Sequence, residues 1–193
     1  MKDYMAPMEG VTNYIYRNAY HQFYHPMDKY FTPFISAKPN KRFSDKEIRE
    51  VSPENNKGMY VVPQILTNNG DDFLETARIL KEDYERTSGA LPGTDTFMFG
   101  RGIIKKPWLL SLIRDGENPD KKKLRAFHDG LYREYQEILS GERNVLFRMK
   151  ELWSYMAPSF TNYEKYAKKI KKSQNLCSYN EAVEMLFSSQ ELV

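Results

Sequence analysis

The sequence predicts an α/β domain followed by an all-α helical bundle, with the change near residue 105. Three observations carry this. From Lys2 to Glu82, apolar strand-like runs alternate with helical or turn-rich segments, the order expected of a parallel sheet. From Lys121 onwards, apolar residues recur at three- and four-residue steps, the period of amphipathic helices. Between the two, Thr96-Phe97-Met98-Phe99-Gly100-Arg101-Gly102 reads as a short buried strand running into an arginine flanked by glycines. Two glycines let the backbone approach an anion closely, and Pro107 suits the first turn of a helix whose free N–H groups could complete such a site. The same residues also suit an ordinary tight turn between a strand and a helix.

Taken in order, Lys2–Ala6 reads as a first strand ended by Pro7, and Pro7–Thr12 as a loop with Thr12 or Asn13 capping a helix. Tyr16, Tyr20 and Phe23 recur at helical spacing up to Pro26. Lys29–Ile35 reads as a second strand whose pairing ends near Pro33. Residues 37–58 form a polar excursion with one helical turn around Ser44–Glu50, and Met59–Leu66 is the clearest strand. Asn68-Asn69-Gly70-Asp71 then turns the chain into a helix running to about Glu82. After the Gly-Arg-Gly segment, Pro107–Ile113 predicts a short helix. Lys121–Leu139 predicts a long one with Leu124, Phe127, Leu131, Tyr135 and Ile138 on one face. Val145–Tyr155 and Tyr163–Ile170 follow, and Ser178 or Asn180 opens a last helix through Leu186.

At 193 residues and 22.8 kDa the chain can bury a core in one domain, or in one domain plus a small appendage. With 40% hydrophobic and 28% charged residues, the composition is globular and not that of a disordered or membrane protein. No run approaches a membrane span, and the N-terminus opens on Lys2 and Asp3 without an apolar stretch, so neither a membrane partner nor a secretory signal is expected. A single cysteine, Cys177, rules out an internal disulfide framework and fits a reducing, cytoplasmic setting. Charge is unevenly spread: Ile103–Lys172 holds 16 Lys and Arg against 9 Asp and Glu, a net +7 in a chain of net +3. This suggests either a polyanion partner on one face or a solvated helical surface.

Four segments, in order, resemble the tRNA-dihydrouridine synthases: Ala6-Pro7-Met8-Glu9-Gly10-Val11-Thr12, Val62-Pro63-Gln64-Ile65-Leu66, Phe97-Met98-Phe99-Gly100-Arg101-Gly102, and Arg148-Met149-Lys150-Glu151-Leu152-Trp153-Ser154-Tyr155. The resemblance covers nearly the whole chain. It implies an FMN-binding (β/α)8 barrel followed by a helical tRNA-binding domain, and reduction of tRNA uridines to dihydrouridine with NADPH recharging the flavin. On this resemblance Pro7, Met8 and Glu9 lie in the loop against the flavin ring, and Gln64 is the glutamine at the end of the third strand. Gln64's amide both donates and accepts, which suits the polar edge of the isoalloxazine. Gly100 and Arg101 form the phosphate grip, where a guanidinium adds charge-assisted bonds.

The chain departs from the family in its middle. The family's central stretch carries an Asn-x-Gly-Cys-Pro motif whose cysteine protonates uracil, and a lysine and a histidine that bind flavin or substrate. Here Ala77–Tyr84 runs straight into Glu85–Gly89, which places a seam within residues 81–89. A (β/α)8 barrel needs about 250 residues, and strand number, tilt and shear are linked. The sequence therefore predicts an incomplete TIM-type barrel of about four parallel strands over residues 1–105, followed by a helical tRNA-binding-type domain over 106–193. A missing half would expose a core face through which copies self-associate.

No residue replaces the lost acid. Cys177, between Leu176 and Ser178, reads as a small buried or half-buried side chain, and His21, His25 and His128 as surface or packing residues. No metal-ligand spacing, P-loop or Ser/His/Asp set is present, so no metal and no catalytic residue is assigned. For tRNA phosphates the expected partners are Lys105, Lys106, Arg148, Lys150, Lys168 and Lys169, supported by Lys121–Lys123, Arg125, Lys171 and Lys172. Trp153 and Tyr155 read as bundle packing. Two functions follow: a synthase-family flavoprotein with impaired reduction, or a non-catalytic remnant that binds RNA or self-associates.

Overall fold

The computed structural model describes residues 2–36, 43–67, 72, 75–76, 78–80 and 96–193. It divides into two compact units, Met1–Asn18 with Met27–Phe99, and Ala19–Pro26 with Gly100–Val193. The seam expected within 81–89, and the turn expected at Asn68–Asp71, lie outside the described residues.

In the first unit the strands are β1 (Lys2–Met5), β2 (Lys29–Ser36), β3 (Val61–Leu66) and β4 (Thr96–Phe99); α1 (Tyr14–Phe23), whose second half counts with the other unit, and α2 (Asp45–Val51) lie between the first three in sequence. All pairs are parallel and the order is β3-β2-β1-β4. Among the described residues β3 and β4 are free edges, so the sheet is open. The expected incomplete (β/α)8-type barrel is therefore corrected. The first unit is a small open α/β fold, and most of the described residues of the chain are helical.

Local chemistry explains the elements. Asn13 Oδ1 accepts from the Tyr16 N–H at 3.0 Å and caps α1, while Ser44 and Glu47 form a reciprocal capping box that starts α2. Pro33 has no N–H to give the sheet, and the β2–β3 register shifts between Phe31 and Phe34. The buried Thr32 hydroxyl fills in by accepting from the Gln64 N–H at 3.1 Å. On one face Ile35, Val51 and Leu80 cluster, with Phe43 and Ile65 against them. On the other, Phe34 pairs with Gln64, Ser36 with Leu66 and Tyr4 with Met98. There Phe34, Leu66 and Met98 are 52%, 54% and 54% exposed. Arg17 on α1, fully buried, bonds Glu50 Oε2 at 2.8 Å, the Glu50 carbonyl at 2.8 Å and Asn56 Oδ1 at 2.9 Å, which fixes α1 to the end of α2.

The second unit is helical: α3 (Arg101–Lys105), α4 (Leu109–Asp115), α5 (Lys121–Ile138), α6 (Glu142–Met156), α7 (Glu164–Lys172) and α8 (Leu176–Ser189). Its core holds Leu124, Phe127, Leu131, Met149, Trp153, Met156 and Leu186. Tyr24, from the N-terminal segment of the same unit, packs edge-on to Phe127 at 5.2 Å. Asp120 caps α5, and Asn175 caps α8 by accepting from the Ser178 N–H at 2.8 Å. The last helix thus begins before the expected Ser178, and Cys177, in its first turn, is exposed and not packed. Among the described residues no helix is long and apolar enough to cross a membrane.

Candidate functional site

In parallel strands the residues that follow each strand gather at one end of the sheet, the end where open α/β sheets bind ligands. Pro7-Met8-Glu9 follows β1 and Gln64 lies near the end of β3, so both sit at this end with β2 between them, about 10 Å apart in strand spacings. The loop is a closed turn. The Met8 N–H donates to Thr12 Oγ1 at 2.6 Å, and the N–H groups of Val11 and Thr12 both donate to the Met8 carbonyl at 3.0 Å. Gly10 supplies the positive φ of 81° that the turn requires. Pro7 and Met8 are half-buried by this turn, whereas Glu9 points to solvent and pairs with Lys46 at 3.2 Å.

Gln64 is one of the polar anomalies of this unit, with the Tyr4 hydroxyl and Arg17 Nε. Its Oε1 is buried and has no hydrogen-bond partner among the described residues. A buried amide oxygen without a donor costs roughly 1–3 kcal/mol, so it fits a ligand that brings an N–H. The ring N–H of a flavin is such a donor. Gln64, at the same sheet end as Pro7 and Met8, is compatible with FMN; the Glu9 side chain is exposed and ion-paired with Lys46.

Gly100 and Arg101 belong to the second unit. Arg101 is not in a loop: α3 starts at it directly, and Gly100 is the N-cap residue. Gly102 has a packing reason to be glycine, since a Cβ there would meet Leu109 Cδ2 at 3.1 Å. The Gly-Arg-Gly segment is thus the head of a five-residue helix with an exposed arginine, and the helix expected at Pro107 begins at Leu109.

The expected phosphate partners fall into two kinds. Lys150 Nζ donates to the Ser173 carbonyl and so ties α6 to the end of α7, while Arg148 bonds Glu151 Oε2 at 3.2 Å within α6 itself. Lys105, Lys168 and Lys169 are exposed, and Lys106 is half-buried. α7 is the basic element. Lys165, Lys168, Lys169, Lys171 and Lys172 are all exposed while Tyr166 and Ile170 are buried, and its sole acid, Glu164, opens the helix. Three of the lysines lie in the last turn, where the helix dipole favours cations. Sequence reading missed Phe147, which stands 64% exposed on the outer side of α6.

A buried polar chain runs through the bundle. Trp153 Nε1–H donates to the Tyr179 oxygen at 2.8 Å, and Tyr179 and His128 Nε2 lie 2.7 Å apart. Using every donor, the Tyr179 O–H donates to Nε2, and Nδ1–H to Asp129 Oδ1 at 2.8 Å. Arg125 binds Asp129 at 2.9 Å and Glu184 at 2.7 Å, carrying the chain to the surface. Burial lowers the His128 pKa below 6.5 despite Asp129, and raises that of Tyr179 well above 10.0. Burial pushes Asp129 up, but the bonds from His128 and Arg125 outweigh it and hold the carboxylate low. His128, Trp153 and Tyr179 are buried, and the chain they form organises the bundle.

No family model matches this chain, and no match is found among curated proteins.

Proposed function

We propose that this chain is a tRNA-binding protein of the dihydrouridine-synthase type, in which RNA binding persists and reduction of uridine is impaired. The observation that carries the binding half is α7, with five exposed lysines in nine residues and a single acid. Such a surface releases counterions from a phosphate backbone, whatever the base sequence. The impaired half rests on chemistry the sequence lacks. Ring reduction needs a proton donor beside the uracil, and the one cysteine, Cys177, stands exposed on α8 with Glu181 Oε1 at 3.6 Å as its neighbour.

The test is tRNA affinity across a salt series. Replacing Lys165, Lys168, Lys169, Lys171 and Lys172 together by Gln should weaken binding at least tenfold and flatten the dependence of log K on log salt, by about 0.7–0.9 for each phosphate no longer neutralised. Absence of a complex at low salt overturns the reading.

The orphaned Gln64 Oε1 favours a second element, retention of FMN by the sheet unit. Bound FMN would supply the hydride chemistry, with NADPH as reductant, while Pro7, Met8 and Gln64 orient the ring. Titration of FMN should quench its fluorescence, and Gln64→Met should weaken the quenching severalfold. Unquenched flavin at every protein concentration removes FMN from the proposal.

A further inference from the structure

Phe147 is the most exposed large hydrophobic residue among those described, at 64%. Its neighbours on α6 bury themselves: Leu146 and Met149 face the core, and the amphipathic pattern needs nothing from position 147. Cations surround it. Arg143 and Lys150 lie four residues before and three after it, the spacings that bring helix side chains together. The Arg148 guanidinium carbon is 5.9 Å from the ring centroid. Lys150 also reaches the carbonyl of Ser173, just past the end of α7, so the exposed Lys171 and Lys172 lie close by in sequence and space. The acids here are Glu151, already bound to Arg148, and Glu142 at the helix start.

We propose that Phe147 is a stacking platform for an unpaired nucleobase, with Arg143, Lys150 and the end of α7 holding the flanking phosphates. This rests on the RNA-binding reading and adds what the lysines alone cannot supply, a preference for single strands. A bare aromatic face ringed by positive charge fits a polymer that offers flat rings on an anionic backbone. A duplex hides its base faces, so it engages the cations and not the ring.

The experiment compares a short oligouridylate with duplex RNA of the same length, using wild type, Phe147→Ala and Phe147→Trp. Phe147→Ala should weaken the single strand about tenfold and leave duplex affinity unchanged, since base–aromatic stacking is sensitive to the ring and phosphate contacts are not. Phe147→Trp should keep wild-type affinity, and its introduced indole should be quenched by oligouridylate; the native Trp108 and Trp153 are buried and report little. Equal single-strand affinity for wild type and Phe147→Ala overturns stacking while leaving RNA binding standing. Loss of affinity for both RNAs, or a dimer in sedimentation that only Phe147→Ala dissolves, also overturns it. A wild type that binds neither RNA brings down the RNA reading as well. Matching melting temperatures for all three proteins show that folding is not the cause.

Discussion

The sheet unit and the helical unit dispose of their buried polar groups in different ways. In the helical unit, Trp153, Tyr179, His128, Asp129, Arg125 and Glu184 form a continuous chain in which each group answers the next. In the sheet unit, Arg17 and Glu50 are buried as a close ion pair, Gln64 Oε1 is left without a donor among the described residues, and three large apolar side chains of one sheet face stand more than half exposed. The helical unit leaves the buried Tyr24 hydroxyl without a hydrogen-bond partner among the described residues, but its polar chain is otherwise continuous. The sheet unit keeps an unmet hydrogen bond and unburied apolar surface, the two deficits that a ligand or a second surface would make good.

The largest expected effect lies in the sheet unit. Glu50→Ala strands a guanidinium with no exposed surface, and breaking a buried pair from one side costs about 3–5 kcal/mol. Urea unfolding should show that loss, and a change below about 1 kcal/mol would mean the pair adds little to this unit. Burial raises the Glu50 pKa and lowers that of Arg17, each opposed by the other, so neither charge is comfortable alone.

Next comes acid sensitivity in the helical unit. Burial holds His128 neutral, so the folded state binds fewer protons than the unfolded one below the ordinary 6.5. The stability this gives is fully present above 6.5 and is lost as the pH falls from there towards the lowered folded value, at up to about 1.4 kcal/mol per pH unit. Melting temperatures taken between neutral pH and about pH 5 should fall for wild type and fall less for His128→Gln. Parallel curves would place the acid sensitivity elsewhere. His21, also lowered by burial, adds in the same direction and remains in both proteins.

The smallest effect probes the open face. Phe34→Ser should change stability by no more than about 0.5 kcal/mol, because the ring is already 52% exposed. Light scattering should show less self-association. A cost typical of a core phenylalanine would show that this face is covered in solution.

Much of the secondary structure was legible. Strands such as Val61–Leu66 are apolar runs bounded by turn residues, and α5 announced itself through Leu124, Phe127, Leu131 and Tyr135. The errors came from interactions that sequence spacing does not encode. Gly102 is small because of Leu109, so Gly-Arg-Gly looked like a loop when it heads a helix. His128 and Tyr179 are 51 positions apart, and no pattern joins them. Phe147 was invisible because an apolar residue in a helical period is read as core. The incomplete (β/α)8-type barrel came from the resemblance, and parallel strands in that order also make a small open α/β fold.

The helical unit draws one segment, Ala19–Pro26, from far upstream of the rest. The contact of Tyr24 with Phe127 closes a loop of roughly a hundred residues, whose entropy, about (3/2)RT ln n, must be met before either ring gains from the contact. Local pairs such as α7 with α8 need no such closure. During synthesis Tyr24 leaves the ribosome long before its partner exists, so this bundle can finish folding only late, after its first-made piece has waited for the last.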